Sequence, residues 1–150
     1  MTTILIAVDG SKESLEAVRQ GMYLVQNGLR ADLALLNVQE PASFLELVTR
    51  DADAIAAAAV EAGEHLMQAG MQLLDHAQVP YTTAVVLGEP GVVIVDMAEQ
   101  MQVDWVIVGA CGMGAIERTL MGSVSQAVLR HCKKSVLVAK LAQPQETEEA

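Results

Sequence analysis

Four of the chain's eleven glycines, Gly109, Gly112, Gly114 and Gly122, lie in the stretch VGACGMGAIERTLMGSVSQAVL, residues 108–129. Three of them fall between positions 109 and 114, directly after an apolar run, and the fourth precedes Ser123. Glycine permits positive φ and removes the Cβ that would hold a ligand away from the backbone. A run of exposed N–H groups that ends at a helix N-terminus attracts anions. The spacing here is G-x2-G-x9-G-S. It is not the Walker pattern, which needs a lysine before the final Ser/Thr, nor the G-x-G-x-x-G that follows the first strand of a dinucleotide-binding unit. A phosphate cradle and a loop shaped only for turning both fit it. Asp9 is the second residue of interest. At the end of the first apolar run it can meet a ligand hydroxyl or hold a Mg²⁺ that bridges phosphates, or it can cap the helix that follows.

These residues need elements to position them. TILIAV, 3–8, reads as a buried strand stopped by Asp9-Gly10. Ser11 is a good N-cap for a helix carrying Leu15, Val18, Met22 and Val25, closed by Asn27-Gly28. ADLALLNV, 31–38, is a second strand. Residues 39–53 form a connection that is unusually apolar for a loop and could cover a pocket or a partner. A helix over about 53–77 follows. Its predicted inner stripe is Ile55, Ala59, Ala62, Leu66, Ala69 and Leu73, widened by Met67 and Met71 as core packing. YTTAVVLG, 81–88, is a third strand, and Glu89-Pro90 opens a helix with Ile94, Ala98 and Met101 inward. DWVIVG, 104–109, is a fourth strand that delivers the glycine cluster. Ser123 begins a helix through about His131, and SVLVAK, 135–140, is the fifth strand.

Strands alternating with helices imply an α/β fold: a single doubly wound domain with a parallel sheet and helices on both faces. Ligands in such sheets bind beyond the carboxyl ends of the strands, where the winding reverses. If strands 1 and 4 are neighbours, Asp9 and the Gly109 turn face one crevice. The domain is expected over residues 1–141, with 142–150 a disordered acidic tail.

The net charge of -10 argues against nucleic acid, which wants a basic patch. Five of the nine Lys and Arg residues nevertheless lie between Arg118 and Lys140, close after the glycines. That placement suits a small anionic ligand, and it also suits a solvated basic face. No apolar run suggests a membrane span, and the N-terminal residues lack a basic region and cleavage-site pattern, so a cytoplasmic location is expected. Two cysteines, Cys111 and Cys132, and three scattered histidines do not suggest a disulfide framework, a zinc site or a nucleophilic triad. No catalytic residue is assigned.

With ILIAVDGS, GEPGVVIVDMAE, DWVIVGACGMG and RTLMGSVSQAVLRHCKKSVLVAK in place, the chain resembles universal stress proteins of the ATP-binding class over about residues 2–140. The resemblance implies a five-stranded parallel sheet in the order 3-2-1-4-5. It implies ATP in the crevice, with Mg²⁺ or Mn²⁺. By position, Ala7 and Val38 would contact adenine, and Asp9 the ribose or the metal. Gly109, Ala110, Gly112 and Gly114 would bring backbone to ribose and phosphates. Gly122, Ser123 and Val124 would receive the terminal phosphates, with Arg118 more loosely near them. Where the family often carries a polar or basic pair, this chain has Ala110-Cys111, which leaves the backbone cradle but removes side-chain hydrogen bonds. The resemblance also implies a homodimer through the last strand, an apolar edge that needs covering. The expected function is ATP-dependent regulation in a stress response, with binding ordering 39–53 and 109–122 and so changing the surface offered to an unnamed protein partner. The alternatives are a slow ATPase or phosphotransferase resting on Asp9 and Arg118, a flavin-type domain disfavoured by the scarcity of aromatics, and a nucleotide-free structural dimer.

Overall fold

The computed structural model describes residues 1–41, 51–111 and 121–141. In chain order the elements are β1 (Thr2–Ala7), α1 (Lys12–Gln26), β2 (Ala31–Gln39), α2 (Ala52–His76), β3 (Tyr81–Leu87), α3 (Pro90–Gln100), β4 (Trp105–Gly109), α4 (Ser123–His131) and β5 (Ser135–Ala139). All five strands are parallel, in the order β3-β2-β1-β4-β5. The order 3-2-1-4-5 is therefore observed.

Strand alternation builds the two cores. Ile4, Ile6, Leu33, Leu35 and Ile107 pack with Ala17 and Val18 of α1 and with Met67 and Leu74 of α2 on one face. Leu5, Ala34, Leu36, Val106 and Val108 pack with Ile94 and Ala98 of α3 and Val128 of α4 on the other. Each helix is a crossover between parallel strands, and the preferred right-handed sense fixes its face. From β1 the chain moves outward through β2 to β3. It then returns past β1 to β4 and β5, so α3 and α4 fall on the opposite face from α1 and α2. At the amino edge, Thr3 N donates to the Asp104 carboxylate at 2.8 Å and Asp104 N donates to Thr3 O at 2.9 Å, which fastens β1 beside β4.

Two helix faces differ from the sequence pattern. The buried line of α2 is Gly63, Met67, Gly70 and Leu74, while Leu66 and Leu73 are only half-buried. Counting only large apolar residues misses this line because two of its members are glycines. A Cβ on Gly63 would stand 2.6 Å from Val85 Cγ1, and one on Gly70 would stand 3.1 Å from Val18 Cγ2, so the missing side chains let α2 lie close to the sheet and to α1. Met67 is fully buried, in keeping with a packing role. In α3, Ile94 and Ala98 point inward, but Met101 is the C-cap residue and 37% exposed.

Candidate functional site

The winding direction reverses between β1 and β4, and both strands end at the same edge of the sheet. Two turns meet there. In the first, β1 leads through Val8, Asp9 and Gly10 into α1. Gly10 has φ +85°, a conformation that a side chain would strain. Ser11 is the N-cap, and its Oγ accepts from Ser14 N at 3.1 Å. Asp9 Oδ1 accepts from Ser11 N at 2.9 Å. Ser14 Oγ accepts from Asp9 N at 3.2 Å and donates to Ser11 O at 3.1 Å. Side chains of the turn thus take up its own backbone donors. Asp9 accepts from the amide of Ser11, which is itself the N-cap, so Asp9 braces the turn rather than capping α1, and it stays half-buried at the carboxyl edge.

Behind this turn stands Asn37, 1% exposed. Its Nδ2 donates to Val8 O at 2.8 Å and its Oδ1 accepts from Gln39 Nε2 at 2.7 Å. Val8 N donates to Leu36 O at 2.8 Å. Asn37 therefore continues the β1–β2 pairing one step past the last strand residue.

The second turn leaves β4 at Gly109. A Cβ there would stand 2.7 Å from Glu13 C and 2.9 Å from Ser14 N, both backbone atoms of α1. Glycine at 109 is what allows the end of β4 to lie against the first turn of α1, so it joins the two turns. Ala110 is 5% exposed, and its N–H donates to Ala139 O of β5 at 2.8 Å. Its carbonyl accepts from Gly122 N at 2.6 Å and from Ser125 Oγ at 2.8 Å. Gly122 is the N-cap of α4 and gives it no side-chain cap. The first intrahelical bond is Gln126 N to Gly122 O, at 3.0 Å, so the N–H groups of Ser123, Val124 and Ser125 precede the helical ladder. Gly122's own N–H is committed to Ala110, so the amide expected to receive phosphate there is already taken, and the amides outside the ladder are those of the first turn of α4.

The two residues expected to contact a base share a face with this helix end. Ala7, Val38 and Val124 all pack, half-buried, against the α3/α4 core at the carboxyl edge. Ser123 is exposed there. Gly112, Gly114 and Arg118 lie outside the described residues, as do 42–50 of the long apolar connection and 142–150 of the tail. A hollow of about 90 Å³ opens on the α1/α2 face, lined by Gly10, Ser11, Leu15, Leu66 and Ala69 among others, and it is too small for a nucleotide. Sequence reading missed Asn37, Ser14 and Ser125. Each is a short polar residue inside an apolar pattern, and only burial distinguishes such a residue from a surface one.

The fold is that of a doubly wound α/β protein whose winding reverses between β1 and β4. The universal stress protein family model matches residues 1–140, and the chain belongs to that family. A universal stress protein of Methanocaldococcus jannaschii is 28% identical over 138 residues, covering 91% of this chain and 81% of that protein. Among solved structures, the hypothetical protein MJ0577 superposes with a TM-score of 0.81 at 24% identity, over 95% of this chain and 98% of its own. A universal stress protein in complex with cAMP gives 0.68 at 24% identity, over 92% and 96%. A family member from Arabidopsis thaliana with AMP bound gives 0.68 at 18% identity, over 97% of each chain. Among the described residues, no helix is long and apolar enough to cross a membrane.

Proposed function

We propose that this chain is a cytoplasmic regulatory protein that binds ATP, and that nucleotide binding changes the surface it offers to a protein partner. The observation that carries the reading is the N-terminus of α4. It has a glycine cap, no side-chain cap hydrogen bond among the described residues, and a start tied to Ala110 at the end of β4. Unsatisfied first-turn amides and the helix dipole favour an anionic group at that end. Ala7 and Val38 supply a small apolar platform on the same face for a base. That two solved relatives hold cAMP and AMP supports an adenine nucleotide as the ligand class.

Mg²⁺ or Mn²⁺ would enter with the nucleotide. Mg²⁺ keeps several waters and is held by one or two carboxylates together with substrate phosphates. Asp9 supplies one carboxylate at the crevice, and the described residues contain no cluster of three or more ligating side chains. The donor set suits a cation carried by the phosphates and touched by Asp9. When bound, the ion would neutralise phosphate charge.

A homodimer through β5 belongs to the same proposal. β5 is the last strand of the sheet, and its Val136, Leu137 and Val138 are half-buried. Pairing across a two-fold axis would cover that edge.

The decisive experiment is to denature purified protein and resolve the released small molecules by ion exchange, then titrate nucleotide-free protein with ATP, AMP, cAMP and GTP by calorimetry. The expected result is co-purified or tightly titrating ATP. No adenine nucleotide released, and no heat at millimolar concentration, overturns the reading.

A further inference from the structure

We propose that Ser125 is the positioning residue of the phosphate end of this site: its hydroxyl clasps the two ends of the glycine loop together and so fixes the first-turn amides of α4. The inference rests on the adenine-nucleotide reading above and adds to it a residue that sets affinity without touching the ligand through its side chain.

Among the described residues four polar side chains are buried: Ser11, Ser14, Asn37 and Ser125. All four stand behind the two turns at the carboxyl edge. A buried hydroxyl or amide costs free energy unless it is hydrogen-bonded, so such a concentration calls for a reason. Ser11 and Ser14 cap α1, and Asn37 holds Val8. Ser125 stands three residues past the Gly122 N-cap, as Ser14 does past Ser11, but its hydroxyl also reaches beyond the helix to the carbonyl of Ala110 at the end of β4. At 3% exposure its Oγ lies 2.8 Å from Ala110 O and 2.9 Å from Gly122 O. With one proton to give, it shares a bond between the residue that leaves β4 and the residue that starts α4.

The rest of the hydrogen bonding converges on the same two points. Ala110 is tied to β5 through its N–H and to Gly122 through its carbonyl. Gln126 Nε2 donates to Met121 O at 3.0 Å and secures the chain just before the cap. The amides of Ser123 and Val124 lie between the Gly122 anchor and the Ser125 anchor. Loss of the hydroxyl leaves the Gly122–Ala110 bond in place, so the fold persists while the helix start gains freedom. Since three successive amides are required to meet a phosphate chain at set distances, a small loosening weakens the phosphate end and spares the base end.

The test compares the full chain with Ser125→Ala and Ser125→Thr, each titrated with ATP and with adenosine. The expected result for Ser125→Ala is about tenfold weaker ATP binding, equivalent to roughly 1.4 kcal/mol, with adenosine affinity kept within about twofold. Ser125→Thr keeps the hydroxyl and is expected to retain the ratio of ATP to adenosine affinity. Amide hydrogen exchange at 121–124 in nucleotide-free Ser125→Ala is expected to speed up. If Ser125→Ala does not fold, Ser125→Cys preserves the volume with a weaker donor and makes the same comparison. Equal weakening of ATP and adenosine, or no weakening of either, overturns the clasp while leaving nucleotide binding intact. A wild-type chain that binds neither ligand overturns the functional reading, and the clasp with it.

Discussion

Two helices start at the carboxyl edge of the sheet, after neighbouring strands and on opposite faces, and they start differently. The N-terminus of α1 is closed by its own side chains: Ser11 caps it, Asp9 binds the cap's amide, and Ser14 returns to the turn. The N-terminus of α4 is capped by Gly122, which has nothing to return. One turn is internally satisfied, and the other leaves donors that an outside anion can take. The comparison teaches that a helix end alone does not make a binding site. On the proposed reading the site arises where local capping has been withheld and the surrounding backbone is nevertheless held still, here by Ala110 and Ser125.

The sharpest way to break this contrast is to give α4 the cap that α1 already has. Gly122→Asp would turn a carboxylate onto the amides of Val124 and Ser125, where it adds capping stabilisation and competes with phosphate. ATP affinity is expected to fall about 100-fold or more, roughly 2.7 kcal/mol, while thermal stability holds or rises by a few tenths of a kcal/mol. Calorimetry paired with a urea melt checks this, and undiminished ATP binding in the variant would refute the open-end account.

The next largest effect tests the junction of the two turns. Gly109→Ala places a Cβ against Glu13 and Ser14 backbone at under 3 Å. Backbone yields less readily than a side chain, so the expected destabilisation is about 1–3 kcal/mol in a urea melt. An unchanged midpoint would mean that β4 and α1 are not held as closely as described.

Ser11→Ala addresses the closed turn. Losing the cap is expected to cost about 1 kcal/mol of stability. Nucleotide affinity should stay within about threefold, because Ser11 serves α1 rather than the ligand. A large affinity loss would put the α1 end inside the site.

The smallest effect lies far from both turns. Partial burial of Tyr81, its hydrogen bond to Asp75 and that carboxylate's charge hold the phenol's pKa above its usual 10.0. A raised folded-state value means that the contribution is present below pH 10 and is lost as pH rises through the folded value. The group is largely solvated, so the effect is small. Tyr81→Phe is expected to flatten the decline of stability above pH 10 slightly and to leave ATP affinity unchanged. A steeper decline in the variant would contradict the sign.

Much of the fold was legible locally. Asp9-Gly10, Asn27-Gly28 and Gly122-Ser123 mark element ends because positive φ and capping are properties of a few adjacent residues. The Ser11 cap and the Ser123 helix start are found where the residue types put them. The inner face of α2 was not legible in the same way. Gly63 and Gly70 belong to it because Val85 and Val18 occupy the space their side chains would need, and those partners are far away in sequence. Gly109 teaches the same lesson. The sequence leaves open whether backbone approaches something closely there or only turns, and the structure shows that α1 is such a neighbour.

By itself the sequence determined the alternation of strands and helices, the punctuation of the turns and the glycine-lined approach to Ser123, because periodicity, caps and φ preferences act between near neighbours. The order of the strands came from likeness to a family, since no local pattern encodes which strand pairs with which. Only the tertiary structure decided that Gly109 lies against the first turn of α1, that Gly122 spends its amide on Ala110, and that Ser125 and Asn37 are buried behind the two turns. Those outcomes depend on contacts between residues far apart in the chain, where a side chain's cost or benefit is set by what the folded protein places around it.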